Sequence, residues 1–144
     1  MNSVVIDRVL KKRCAIYHGV FACNELPDTV LRPSAIVVNT DPADRPGQHW
    51  ICIYFDEDGH GEYFDSFGLR PKSMFERYMN NHCIAWTFNK KQMQSLVSRF
   101  CGHYCIWYCI MMFRRVALDA LVYGMTEDTG LNDFFVHRFA CKLI

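Results

Sequence analysis

Phe100-Cys101-Gly102-His103-Tyr104-Cys105-Ile106-Trp107-Tyr108-Cys109-Ile110-Met111-Met112-Phe113 contains the longest apolar run of the chain, Tyr104 to Phe113, and is closed by Arg114-Arg115. The run is about half the length that a bilayer requires. It therefore predicts a helix buried at the centre of a core, with no membrane anchor. The helix is expected to start at Cys101 and to continue to Tyr123, where Gly124 supplies a C-terminal stop.

The elements around this helix read as an α+β domain. Val5, Ile6, Val9 and Leu10 form an apolar stripe over Ser3 to Arg13, with Asn2 or Ser3 as cap and basic residues in the last turn. A polar, proline-containing stretch runs through Pro33, and Ala35-Ile36-Val37-Val38 is a β-branched run that predicts a buried strand. Residues 41–47 are expected to form a loop. Trp50 to Phe55 and Glu62 to Ser66 predict a hairpin with its turn at Asp56–Gly61. A helix over Pro71–Asn80, a strand over Ile84–Phe88 and an irregular approach from Gln92 to Phe100 precede the central helix. A last helix over Leu131–Lys142 is expected to face Leu131, Phe134, Phe135 and Phe139 inward. The sum is one domain over residues 1–144, a small, mostly antiparallel sheet on a buried helix.

Composition narrows the classes of function. Of 144 residues, 51% are hydrophobic, enough to fill a core and to exclude disorder. A net charge of +1 gives no general pull toward nucleic acid or membrane. Lys11-Lys12-Arg13, Lys90-Lys91 and Arg114-Arg115 read as solvated surface. Eight cysteines raise a disulfide scaffold. Three of them, Cys101, Cys105 and Cys109, share one helix face where bridges are poorly shaped, and no charged-then-apolar leader opens the sequence. A reducing, intracellular compartment is the expectation. The same three thiols with His103 do not form a zinc set, because no four ligands converge and no C-x-x-C is present; no metal is expected.

Cys101 opens the central helix, where the macrodipole favours its thiolate form. An antiparallel hairpin places the start of its first strand beside the end of its second, so His49 and Asp65 are expected to be neighbours although sixteen positions apart. His49 then acts as general base and acid, and Asp65 orients its ring. Gln94, seven residues before Cys101, and backbone N–H groups near Cys101 and Gly102 supply donors for an oxyanion. Gly102 is read as the place where substrate approaches the backbone. Each residue taken singly has an ordinary structural reading: a core cysteine, a surface histidine, a turn aspartate. Their joint placement favours a cysteine hydrolase.

These residues, in the order His, acid, Gln, Cys, resemble the adenovirus-type cysteine proteases (adenain), whose clan includes the SUMO- and NEDD8-specific peptidases. Ala35-Ile36-Val37-Val38-Asn39-Thr40 and Gly47-Gln48-His49-Trp50 resemble the approach to the family's histidine. Phe64-Asp65-Ser66-Phe67-Gly68 resembles the segment of its acid, and Gln94 with Cys101-Gly102-x-Tyr104-Cys105 matches the spacing of its glutamine and nucleophile. The similarity covers residues 15 to 115, and the chain ends before much of the family's C-terminal region.

The resemblance implies a papain-like cysteine protease fold of the adenain type. It implies a thiol endopeptidase of a DNA virus or virus-like mobile element that cuts capsid or core precursors after small, glycine-containing motifs. Trp50 would shape the site. No cofactor is needed for the chemistry, but the family is activated by a viral peptide, to which Cys83 corresponds as the disulfide partner, and by DNA. The enzyme would work as a monomer, in the virion and the host nucleus, without a membrane. A SUMO- or ubiquitin-like-protein peptidase, and a catalytically silent binding or structural protein, are the alternatives.

Overall fold

In the computed structural model, which describes residues 1–45 and 49–144, helix α1 (Ser3–Arg13) starts where Asn2 Oδ1 accepts the Val5 N–H at 3.1 Å. It buries Ile6, Val9 and Leu10. Strands β1 (Tyr17–Ala22), β2 (Ser34–Asn39), β3 (Trp50–Phe55) and β4 (His60–Phe64) follow, then α2 (Ser73–His82), β5 (Ala85–Phe88), α3 (Cys101–Phe113), α4 (Leu118–Gly124) and α5 (Thr129–Cys141). Pro46, Gly47 and Gln48, and with them the end of the expected 41–47 loop, lie outside the described residues.

The sheet runs β1-β2-β3-β4-β5. Its three middle strands are the expected antiparallel meander. A parallel strand on each flank, β1 against β2 and β5 against β4, makes the whole sheet mixed. β1 falls in the stretch expected to be irregular. Its register shifts between Tyr17 and Gly19, and Gly19 has φ 148°, which breaks the period-two pattern that marks a strand.

β2 is buried along its full length, so it separates two apolar layers. Val37, Cys52 and Phe64 face α1 and α3; Ile36, Val38, Ile51, Ile53 and Tyr63 face Phe75 and Met79 of α2. The alternation of neighbouring residues between layers follows from strand geometry. Phe64 stacks on Tyr108 with centroids 4.3 Å apart, which seats α3 on the sheet. Each such large side chain contributes about 1.5–3 kcal/mol by burial. No helix among the described residues is long and apolar enough to cross a membrane.

Two expectations are corrected. The central helix does not reach Tyr123. Arg115, at φ 60°, ends α3: the Arg115 N–H bonds the Met112 carbonyl and the Val116 N–H bonds the Met111 carbonyl, each at 3.0 Å. This is a Schellman closure with arginine where glycine is usual, so nothing in the composition marks it. α5 does not turn Leu131, Phe134 and Phe135 inward; they are more than half exposed. Polar residues anchor the helix instead. Asn132 Nδ2 donates to the Met93 and Thr126 carbonyls, and Asp133 Oδ1 accepts from the Tyr104 hydroxyl at 2.9 Å. Hydrogen bonds to a buried loop decide the face, overriding the apolar stripe.

Candidate active site

The hairpin brings its two ends together. With Cys52 opposite Phe64 in the ladder, the next residues outward carry His49 to Asp65, and His49 Nε2 lies 2.8 Å from Asp65 Oδ1. Nδ1 of the ring is thereby left for the Cys101 thiol, which lines the same cleft and is close enough for each group to shift the other's pKa. His49, Cys101, Gln94, Trp50, Phe67, Ser98, Arg99 and Met1 line one cleft of about 300 Å³.

Electrostatics favour an ion pair. Burial works against a charge on His49, but its hydrogen bonds to Asp65 and Cys101 outweigh this and raise its pKa to about 9. Burial would raise the pKa of Cys101. The His49 contact, and backbone hydrogen bonds from Trp50 and Gly102 at the helix start, bring it below the ordinary thiol value. A thiolate at Cys101 and an imidazolium at His49 thus stabilise each other. Cys105, by contrast, is fully enclosed and pushed up to about 11 by burial. The Cys52 and Cys109 sulfurs lie 3.7 Å apart in the core, and Cys105 and Cys109 pack as expected. Burial and the proximity of His137 lower His103 to about 4. That ring stays neutral and serves no role beside His49.

Three residues that sequence reasoning left without a role hold this geometry. Phe67 stacks on the His49 ring, centroids 4.7 Å apart at 19°, and its N–H donates to Asp65 Oδ1 at 2.8 Å. Asn89 clamps the Asp65 backbone from both sides, accepting its N–H at 2.9 Å and donating to its carbonyl at 2.5 Å. Ser66 donates to Gln94 Oε1 at 2.6 Å, which turns the Gln94 amide nitrogen toward Ser98, with its carbonyl at 3.1 Å and its hydroxyl at 3.0 Å. The Ser66 carbonyl also accepts the Met93 and Gln94 N–H groups. No spacing rule marks Asn89 or Phe67; the signal available was that Ser66 and Phe67 directly follow the acid.

Gly68 makes the joint possible. It sits at φ 69°, and a Cβ there would come within 2.6 Å of the Lys91 backbone. Only glycine allows the turn after Asp65 to touch the segment that carries Gln94.

Gly102 has a steric reason that the sequence did not suggest. A Cβ at this buried position would meet Met1 Cβ at 3.1 Å and Ile6 Cδ1 at 3.4 Å, so the missing side chain makes room for the N-terminal segment. Trp50 borders the cleft and donates its indole N–H to the Met1 carbonyl at 3.1 Å. Cys83 is not among the residues that line this cleft; it stands at the C-terminal cap of α2. It is half-buried, its sulfur 3.9 Å from the Arg32 guanidinium and turned toward Gly61.

No protein-family model matches the chain. The chain is 29% identical over 119 residues to a cysteine protease of African swine fever virus, a match covering 74% of this chain and 42% of that protein. The version from another isolate of that virus bears the name SUMO-1 cysteine protease, at 28% identity. The chain is also 25% identical over 100 residues to the protease of bovine adenovirus 4, covering 58% of this chain and 50% of the relative. It therefore spans half or less of the length of these relatives. The crystal structure of the African swine fever virus protease superimposes with a TM-score of 0.67 at 20% identity, over 94% of this chain and 66% of that one. The resemblance to adenovirus-type proteases is borne out: the chain is similar in sequence to viral cysteine proteases and has their papain-like fold.

Proposed function

We propose that the chain is a cysteine endopeptidase in which Cys101 is the nucleophile, His49 the general base and acid, Asp65 the group that orients His49, and Gln94 an oxyanion donor. The observation that carries this reading is the His49–Asp65 contact of 2.8 Å on a ring that also holds the Cys101 thiol below its ordinary pKa. The thiolate attacks the peptide carbonyl, and the oxyanion meets the Gln94 amide and the backbone N–H groups at the start of α3. Imidazolium at His49 protonates the leaving amine, and the same ring then deprotonates a water that releases the acyl group. Gln94 must share its donors with Ser98 to do so.

The cleft, closed in by Trp50, Phe67, Arg99 and Met1, supports small, glycine-containing substrates. The viral relatives support a virion or infected-cell setting; capsid or core precursors as the target, and the nucleus as the place of work, have only the resemblance behind them. Action as a monomer is part of the same reading. An activating peptide would add along the outer edge of β5, directly after Cys83. For a disulfide, that thiol would first have to leave Arg32. Stimulation by DNA has only the resemblance behind it.

The test is alkylation of Cys101 by iodoacetamide at mildly acidic pH, followed by cleavage of glycine-containing peptides and of ubiquitin- and SUMO-derived fluorogenic substrates. Labelling lost in Cys101→Ala and strongly slowed in His49→Ala is expected. Labelling indifferent to both substitutions rules the mechanism out and favours a silent binding protein. Turnover of the ubiquitin-like substrates alone transfers the enzyme to the SUMO-peptidase class.

A further inference from the structure

We propose that His103, His137 and Cys141 form a site for a borderline-soft divalent metal ion, zinc(II) by its donor chemistry, bridging α3 and α5. One ring nitrogen from each histidine and the Cys141 sulfur lie within 4.8 Å of one another. Tetrahedral zinc bonded to nitrogen at about 2.0–2.1 Å and to sulfur at about 2.3 Å sets donors about 3.4–3.6 Å apart. His137 Nε2 and Cys141 Sγ are already 3.4 Å apart. The widest spacing in the set exceeds the tetrahedral one by little more than 1 Å.

The frame is rigid where it has to be. His137 and Cys141 stand four residues apart on α5, and so on one face of the helix. The His103 ring comes from α3, with its centroid 5.0 Å from that of His137. Phe100 packs on both rings, at 5.1 and 4.8 Å, which fixes their tilt.

An unmet bond points to a ligand. Nδ1 of His103 is buried without a hydrogen-bond partner, and no other buried side-chain nitrogen or oxygen among the described residues is left so. Buried side-chain nitrogens of this kind are paired in the large majority of proteins. Two imidazoles and a thiol suit zinc, and not the oxygen-seeking calcium or magnesium. Three protein donors leave a fourth position for water or another ligand.

The zinc set dismissed from sequence, Cys101, Cys105 and Cys109 with His103, shares only His103 with this one. His103 is about 200° around α3 from Cys101, so the site is separate from the reacting thiol.

Because a thiolate and imidazole at Cys101 and His49 would also bind zinc, the test uses the reduced Cys101→Ala chain, titrated with cobalt(II) and then zinc(II). One equivalent of cobalt with a sulfur-to-cobalt charge-transfer band, displaced by zinc, and a rise in the thermal midpoint with zinc are expected. Adding Cys141→Ser should remove the band, and Cys141→Ser or His137→Gln should each weaken zinc binding by at least about tenfold. Cys141 is exposed, so its serine variant should keep the fold, checked by circular dichroism; it alone decides if His137→Gln does not fold. No cobalt band in the Cys101→Ala chain overturns the site. So does a band that survives Cys141→Ser, or zinc affinity unchanged within about twofold in a folded variant.

Discussion

The Ser66 hydroxyl and the Gln94 side chain meet at 2.6 Å in a fully buried contact, one residue past the proposed acid Asp65 and seven before the proposed nucleophile. The bond sets which end of the Gln94 amide faces the cleft. Ser66 is thus a positioning residue. In Ser66→Ala, turnover is expected to fall by about tenfold or more, short of the 10²–10³ typical of losing an oxyanion donor outright. Alkylation of Cys101 should keep the wild-type rate, since the ion pair is untouched. Equal loss of both readouts would mean that the fold, and not the amide, had been disturbed.

The pH dependence follows from the pair. Cys101 titrates below the ordinary thiol range and His49 near 9. Alkylation of Cys101 should therefore persist to lower pH than that of a free thiol, and peptide cleavage should decline as His49 loses its proton on the way past 9. His49 is raised from 6.5, so its contribution to stability is complete below about 6.5 and is lost as the pH climbs through 9. In His49→Ala the acidic limb of the alkylation profile should move up to that of a plain thiol. A profile with no such displacement contradicts the ion pair.

Gly68→Ala should damage both stability and activity. A side chain in the left-handed region costs about 1–2 kcal/mol, and here it would also press on the Lys91 backbone at 2.6 Å. A fall in Tm of at least about 5 °C is expected for a domain of this size. Turnover should drop as well, because the displaced segment carries Gln94. An unchanged Tm would mean that the turn relaxes freely.

Arg115 tests the helix break. Its ion pair with Glu57 is exposed on both sides and worth little, so Arg115→Gly should be neutral or stabilise by up to about 1 kcal/mol. Arg115→Val, β-branched at φ 60°, should lower stability by about 1–2 kcal/mol. Thermal or urea unfolding of the pair of variants decides it; the reverse order would argue for a continuous helix.

Where hydrophobic period and turn chemistry agree, the sequence is readable. The hairpin from Trp50 to Phe64 and the buried run through Phe113 stand where their patterns put them. The approach of His49 to Asp65 followed from strand pairing alone. What escaped was set by contacts distant in the chain. Asn132 and Asp133 turn α5 over because Met93 and Tyr104 need partners. Asn89 serves Asp65 across 24 positions. His137 and Cys141 meet His103 only once α5 has packed on α3. Gly19 hid β1 by interrupting its alternation, and Arg115 closed a helix in a conformation that its residue type does not advertise.

The proposed nucleophile rides on α3, while its proposed base and acid belong to the ends of β3 and β4, and what joins the two bodies is the apolar layer around Phe64 and Tyr108. Neither body alone can hold the charge-separated pair. The reactivity of one thiol is therefore a gauge of assembly. It switches on when the helix docks and fades when it loosens, readable without any substrate, well before the sheet itself gives way.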